Sequence, residues 1–249
     1  MKKITSITTL LLLSILTITS CKKTVDPVEP DPVVEVKNNI SLHFMNKWGM
    51  DDDFAYNTVY DINGVNVQFT DLRFYLSNFE LHDDADNEVA IEGKVLLIDA
   101  GSTGHQELGE ISKDFNHIHE MHFLFGLDTI NNHIDPITAS APLNDASMHW
   151  GWAPEEGYKF MLIEGKSDVD GDGNYENFAI HLATDHLSRA ISKDVHKDIE
   201  NNSIMMMTMV NYKMLFTDVD FSDLSGTHGN HPLTNGIADK VGMAINIME

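Results

Sequence analysis

The chain has 249 residues, of which 39 are acidic and 16 are basic, so its formal net charge at pH 7 is −23. A surface with this excess of carboxylates repels nucleic acid and anionic lipid headgroups and attracts cations, which excludes nucleic-acid binding. The single cysteine, Cys21, also excludes a disulfide within the chain and a cysteine-based metal site.

Two segments precede the predicted folded domain. A pair of lysines is followed by a leucine- and isoleucine-rich run that ends in small residues before Cys21. This pattern predicts a signal peptide over residues 1–20, with an apolar core too short to span a bilayer comfortably. The end of the run resembles a bacterial lipobox, in which the cysteine becomes the lipidated first residue of the mature protein.

Residues 21–38 are rich in proline, acids and valine, as is typical of an extended tether. Because Lys22 and not an aspartate follows the cysteine, we expect an outer-membrane lipoprotein, on either the periplasmic or the surface face.

Residues 39–249 are predicted to form one β domain. Apolar and polar residues alternate in most segments, for example in Ile40–Met45, as expected for strands with one buried face. A change of face near Asn78 predicts a β-bulge, and residues 234–246 favour a helix. The expected fold class is all-β, an antiparallel β-sandwich-like single domain with a few short helices or loops.

The stretch 148–165 is the most distinctive part of the chain. Trp150 and Trp152 lie two residues apart, so an extended backbone places both indoles on one face and His149 on the other. The run of methionines Met205, Met207 and Met209 favours adaptable core packing.

Four histidines are candidate metal ligands. His43, His119 and His181 lie in separate strand-like segments, and His149 adjoins the tryptophans. Strands that are distant in sequence can bring such residues to one rigid place. Imidazole together with methionine thioether suits copper better than hard cations. The candidate copper ligands are therefore His181, His43, His119 and His149.

A second metal pattern lies between two predicted strands. Asp168, Asp170, Asp172 and Asn174 have the spacing of oxygen ligands in a calcium loop. The twelfth position is an alanine where a bidentate glutamate is expected, so Glu176 would have to help. An acidic hairpin turn that binds no ion explains the pattern equally well.

Several ordered motifs resemble the MbnP-like copper-binding proteins over residues 39–247. They are a first strand that ends at Gly49, Leu72-Arg-Phe-Tyr-Leu-Ser-Asn78, Phe123-Leu-Phe-Gly-Leu-Asp128 followed by Asn131, the stretch 148–165, and Phe178–Leu182. The resemblance implies a periplasmic or surface-associated β-sandwich that binds copper through histidines. In some relatives a di-haem peroxidase-like partner oxidises a tryptophan to kynurenine, which then joins the copper site.

The resemblance transfers to individual residues. Trp150 and Trp152 match the paired tryptophans, and His181 matches the histidine of a late strand. The first strand departs from the family pattern, because its histidine is His43 where many relatives have one at the position of Asn46.

The expected function is therefore an extracytoplasmic copper-binding lipoprotein that captures, stores or hands on copper. The alternative is a metal-independent or calcium-dependent surface binding or adhesion module. We expect no enzyme, because no nucleophile or carboxylate pair specifies a reaction.

Overall fold

The computed structural model describes residues 36–151, 156–224 and 227–248. The predicted signal peptide, Cys21, most of the tether and Trp152 lie outside these residues. Of the helices in the described ranges, none is long and apolar enough to cross a membrane.

The described residues form two sheets and three short helices. The strands are β1 (Lys37–Trp48), β2 (Asp52–Asp53), β3 (Val59–Ile62), β4 (Val65–His82), β5 (Glu88–Ala90), β6 (Val95–Asp99), β7 (Gly104–Ser112), β8 (His117–Phe125), β9 (Lys159–Asp168), β10 (Glu176–Ala183), β11 (Arg189–Asp198), β12 (Ser203–Asn211) and β13 (Ile245–Ile247). The helices are α1 (Thr129–Asn132), α2 (Tyr212–Leu215) and α3 (Pro232–Ala244).

The strand order confirms the predicted all-β sandwich-like fold. The first sheet has the order β13-β12-β1-β2, and β7 also pairs with β1. The second sheet has the order β10-β9-β4-β8-β11, and β3, β5 and β6 pair with β4. All of these pairs are antiparallel except β1 with β12, which is parallel.

The core is built from the inward faces of both sheets. Ile40, Leu42 and Phe44 of β1 are buried, as the alternation predicted. Phe69 of β4 stacks on Phe216 with 4.8 Å between the ring centres. Such aromatic packing contributes beyond the area it buries.

The methionine run does not pack as predicted. Parallel pairing aligns Ile204 with Ile40 and Met206 with Leu42, so these residues share the inward face. Met205 and Met207 therefore face outward beside Ser41 and His43, and Met205 is 51% exposed. The prediction of core packing was wrong for Met205 and for the half-buried Met207, because the register with β1 decides which alternate residues face inward. Met209 is buried, as predicted.

Two irregularities shape the outer face of the second sheet. Asn78 has φ +53°, and the pairing of β4 with β8 shifts between Ser77 and Glu80, which confirms the predicted bulge. Regular alternation along β8 would place His117 and His119 on the same face as Met121. Instead Ile118 and Met121 are both buried, because the strand is irregular where its pairing with β11 shifts.

Candidate metal centre

His181 lies on the outer face of β10 and is nevertheless buried. Its neighbours Ile180 and Leu182 point into the core, so alternation directs His181 outward. It is only 8% exposed. Trp150 lies in the loop before β9, and His228 lies in the loop before α3; both rings contact the imidazole.

Three rings converge at this position. The ring centre of His181 lies 5.3 Å from that of Trp150 and 5.0 Å from that of His228, and the last two are 5.6 Å apart. The His181 backbone N–H donates to the carbonyl of Thr227 at 2.8 Å. The loop thus runs parallel to β10 beside His181, which brings His228 onto the outer face.

The two ring nitrogens of His181 have different surroundings. Nε2 lies 3.1 Å from Oε1 of Glu164, one strand away on β9. Nδ1 is buried and has no hydrogen-bond partner among the described residues. When Nε2–H donates to the carboxylate, the lone pair is on Nδ1, which is the arrangement of a histidine ligand oriented by an outer carboxylate.

The electrostatics keep this imidazole neutral. Burial and the positive charge of Lys159 lower the pKa of His181 to about 4, although Glu164 opposes the shift. The Lys159 ammonium lies 5.2 Å from the centre of the Trp150 ring and donates to the carbonyl of Ser147. A neutral imidazole is the form that binds metals.

The geometry fits a copper ion. A metal held about 2.0–2.1 Å from an imidazole nitrogen lies about 3 Å from the ring centre. Two imidazoles that hold one ion have ring centres at most about 6 Å apart, and those of His181 and His228 are 5.0 Å apart. Imidazole ligands suit copper, and the Nδ1 of His181 is a buried acceptor without a partner in the described structure.

Comparison with known proteins identifies the family. The MbnP family model matches residues 37–231, most of the chain. The chain belongs to the MbnP family. Its structure is similar to that of MbnP from Methylosinus trichosporium, with a TM-score of 0.58 and 15% sequence identity over 78% of this chain and 83% of that one. At this identity the likeness shows a shared fold. A search of curated proteins finds no significant match.

In this MbnP-family chain, only one of the four predicted histidine ligands, His181, lies at this position. The structure brings His181 and Trp150 together, and adds His228. His43 lies in the other sheet, between Met207 on β12 and His105 on β7. His43 and His181 therefore belong to different sheets, and the predicted grouping of these two histidines around one ion is wrong.

The remaining two predicted ligands also lie elsewhere. His119 contacts the ring of His196, with 4.3 Å between centres, and its Nδ1 lies 3.0 Å from Asp84. His149 packs edge-on against Tyr158. Burial is the first cause of its lowered pKa.

Sequence reasoning did not identify His228 as a neighbour of His181. His228 lies in a loop without strand periodicity, so alternation could not assign its side chain to one face of a sheet. The available signal was the concentration of histidine and glycine at residues 226–231. The pairing of this loop with β10 depends on tertiary contacts, which the local sequence does not reveal.

The predicted calcium loop joins β9 to β10. Ligand oxygens of Asp168, Asp170 and Asp172 lie within 4.8 Å of one another. Asp168 is 5% exposed; its Oδ2 accepts from the N–H of Gly173, and its Oδ1 has no hydrogen-bond partner in the described residues. The side chain of Asn174 donates to Asp172, and Glu176 is exposed at the start of β10.

Proposed function

We propose that the protein binds copper outside the cytoplasm and captures, stores or hands on the ion, as a binding protein and not an enzyme. The proposed ligands are His181, His228 and the modified or unmodified ring of Trp150. The observation that carries the proposal is the buried, neutral imidazole of His181, whose Nδ1 faces no hydrogen-bond partner in the described residues. Membership in the MbnP family supports it.

Each residue has a separate role in this proposal. His181 supplies Nδ1, and Glu164 fixes its tautomer from the other side of the ring. His228 is exposed and lies on a loop, so it is the ligand through which copper enters or leaves. The nearby Lys159 ammonium repels a doubly charged ion more than a singly charged one, which favours Cu(I).

Trp150 is the proposed site of oxidation to kynurenine by a di-haem peroxidase-like partner. Its ring lies against both histidines, so an amine formed by opening the indole would be close to the ion. Trp152, the other candidate, lies outside the described residues. A mass spectrum of the peptide that contains both tryptophans identifies the modified position.

Copper competition tests the site. Wild type, His181→Ala and His228→Ala are titrated with Cu(I) against a chelator. We expect both variants to lose copper to the chelator at concentrations where wild type retains it. His186→Ala is the matched control, because His186 is exposed in the short 3-10 helix Asp185–Leu187 that follows β10. Equal retention by wild type and His181→Ala would remove His181 from the site.

Calcium binding by the loop at residues 168–176 is a second proposed function. The observation that favours it is the buried Asp168 carboxylate, whose Oδ1 has no hydrogen-bond partner in the described residues and which offers an oxygen within 4.8 Å of oxygens of the other two aspartates. An ion would relieve the repulsion among the three carboxylates. Because Asn174 is bonded to Asp172, its side chain would have to turn to become a ligand.

Attachment to the outer membrane through a lipid at Cys21 completes the proposal. It rests on the lipobox-like sequence before Cys21 and on the lysine that follows it. A tether of the length of residues 21–38 would hold the copper-binding domain near the membrane surface.

A further inference from the structure

The outer face of the second sheet carries a second group of metal-ligating side chains, Glu80 and His82 on β4 with Glu120 and His122 on β8. The antiparallel register places Glu80 opposite His122, and His82 opposite Glu120. Each histidine therefore has one glutamate opposite it and another two residues away in its own strand. We call these four residues the quartet.

The distances within the quartet suit a shared ion. Nε2 of His82 lies 2.7 Å from Glu80, and Nε2 of His122 lies 2.9 Å from Glu120. The two imidazole rings are 4.1 Å apart at their centres. One ligand atom from each of Glu80, His82 and His122 can be chosen so that all three lie within 4.8 Å of one another.

The strand geometry builds this arrangement. The bulge at Asn78 resets the alternation of β4, so that Phe79 and Leu81 are buried while Glu80 and His82 face outward. On β8 the buried Met121 lies opposite Leu81 and holds its two neighbours on the same outer face. Bulges are enriched next to functional sites because they re-aim side chains.

The two glutamates of the quartet have no lysine or arginine partner in the described residues. Their partners are histidines, together with the Ser192 hydroxyl, which donates to Glu120. The side chains of His82, Glu120 and Glu80 are 13%, 29% and 37% exposed, so the quartet is partly screened from water.

We propose that the quartet binds one divalent transition-metal ion of borderline softness, Zn²⁺ or Cu²⁺. Two imidazoles and the Glu80 carboxylate are ligands that these ions accept, and Glu120 would turn toward the ion to complete a four-coordinate site. Ca²⁺ is a poor candidate, because it prefers oxygen ligands. The Ser192 hydroxyl orients one carboxylate from outside, as outer hydrogen bonds do in metal sites. This group shares no residue with the proposed copper site at His181.

Isothermal titration of the chelator-treated protein tests the proposal, with Zn²⁺ and Cu²⁺ in separate experiments. We expect the double variant His82→Ala/His122→Ala to bind one equivalent fewer than wild type. His181→Ala should keep that equivalent, so failure of the copper site and failure of this site are distinguishable. With Cu²⁺, the electron paramagnetic resonance spectrum of His181→Ala should show coupling to two imidazole nitrogens, which the double variant lacks.

Two further variants make the outcome decisive. Glu80→Gln keeps the size of the side chain and removes its charge; we expect it to weaken binding by about tenfold or more, with an unchanged melting temperature in chelator. His196→Ala, which disrupts the neighbouring exposed group of Asp84, His117 and His196, should leave the quartet's equivalent in place. Wild-type stoichiometry in the double variant, or wild-type affinity in Glu80→Gln if the double variant does not fold, would overturn the proposal.

Discussion

Replacing His181 by leucine should make the metal-free protein more resistant to acid. Burial lowers the pKa of His181 to about 4 in the folded protein, whereas an unfolded histidine titrates near 6.5. Between these values the unfolded chain binds more protons, so stability falls as the pH drops below about 6.5, and the loss is complete below about 4. The difference in pKa corresponds to about 3 kcal/mol in full and about 2 kcal/mol at pH 5.

Urea unfolding at pH 7.5 and at pH 5, in the presence of a chelator, measures this effect. Other groups lower the stability of both proteins in acid, so the quantity of interest is the change in the difference between wild type and His181→Leu. Between pH 7.5 and pH 5, the free energy of unfolding of His181→Leu relative to wild type should rise by about 2 kcal/mol. His186→Ala, at an exposed position, should show no such movement. Parallel loss of stability in wild type and His181→Leu would refute the reasoning.

Three other predictions concern separate parts of the chain. Tyr212→Phe should lower the free energy of unfolding by about 1–3 kcal/mol, because the buried Asn46 Oδ1 loses its 2.9 Å hydrogen bond; a urea midpoint equal to that of wild type would contradict this. Millimolar Ca²⁺ should raise the melting temperature by a few degrees through ligand linkage, with no gain in Asp170→Ala; an equal gain with Mg²⁺ would argue against a specific site. Cys21→Ser should move the protein from the membrane to the soluble fraction, and sedimentation of the variant with membranes would disprove the lipid anchor.

Strand faces were predictable where the pattern was regular. Ile40, Leu42 and Phe44 are buried as expected, and the sequence around Asn78 indicated its bulge. The sequence did not predict which residues of β12 face the core. Methionines occur at both odd and even positions of this strand, so hydrophobicity does not distinguish its two faces. Only the parallel register with β1 assigns Met206 to the core and Met207 to the surface.

The candidate copper site was predictable in part for a similar reason. His181 and Trp150 lie in or beside strand-like sequence, so periodicity and resemblance both drew attention to them. His228 lies in a loop, and its position depends on backbone pairing with β10. His43 and His119 have strand periodicity too, but periodicity gives only the face of a residue within its own sheet. It does not tell which of two sheets, or which end of one, the residue occupies.

The alternation of strands also explains why both proposed sites lie on outer faces. Inward faces must be apolar to bury the core, so metal-binding side chains are left on the surface unless a loop covers them. At His181 the Trp150 and Thr227–His228 segments supply that cover, and the resulting burial keeps the imidazole neutral well below pH 6. In the quartet, the His122 side chain remains 38% exposed. We therefore expect the covered site to hold its ion through mild acidification, and the quartet to exchange its ion with solvent more readily.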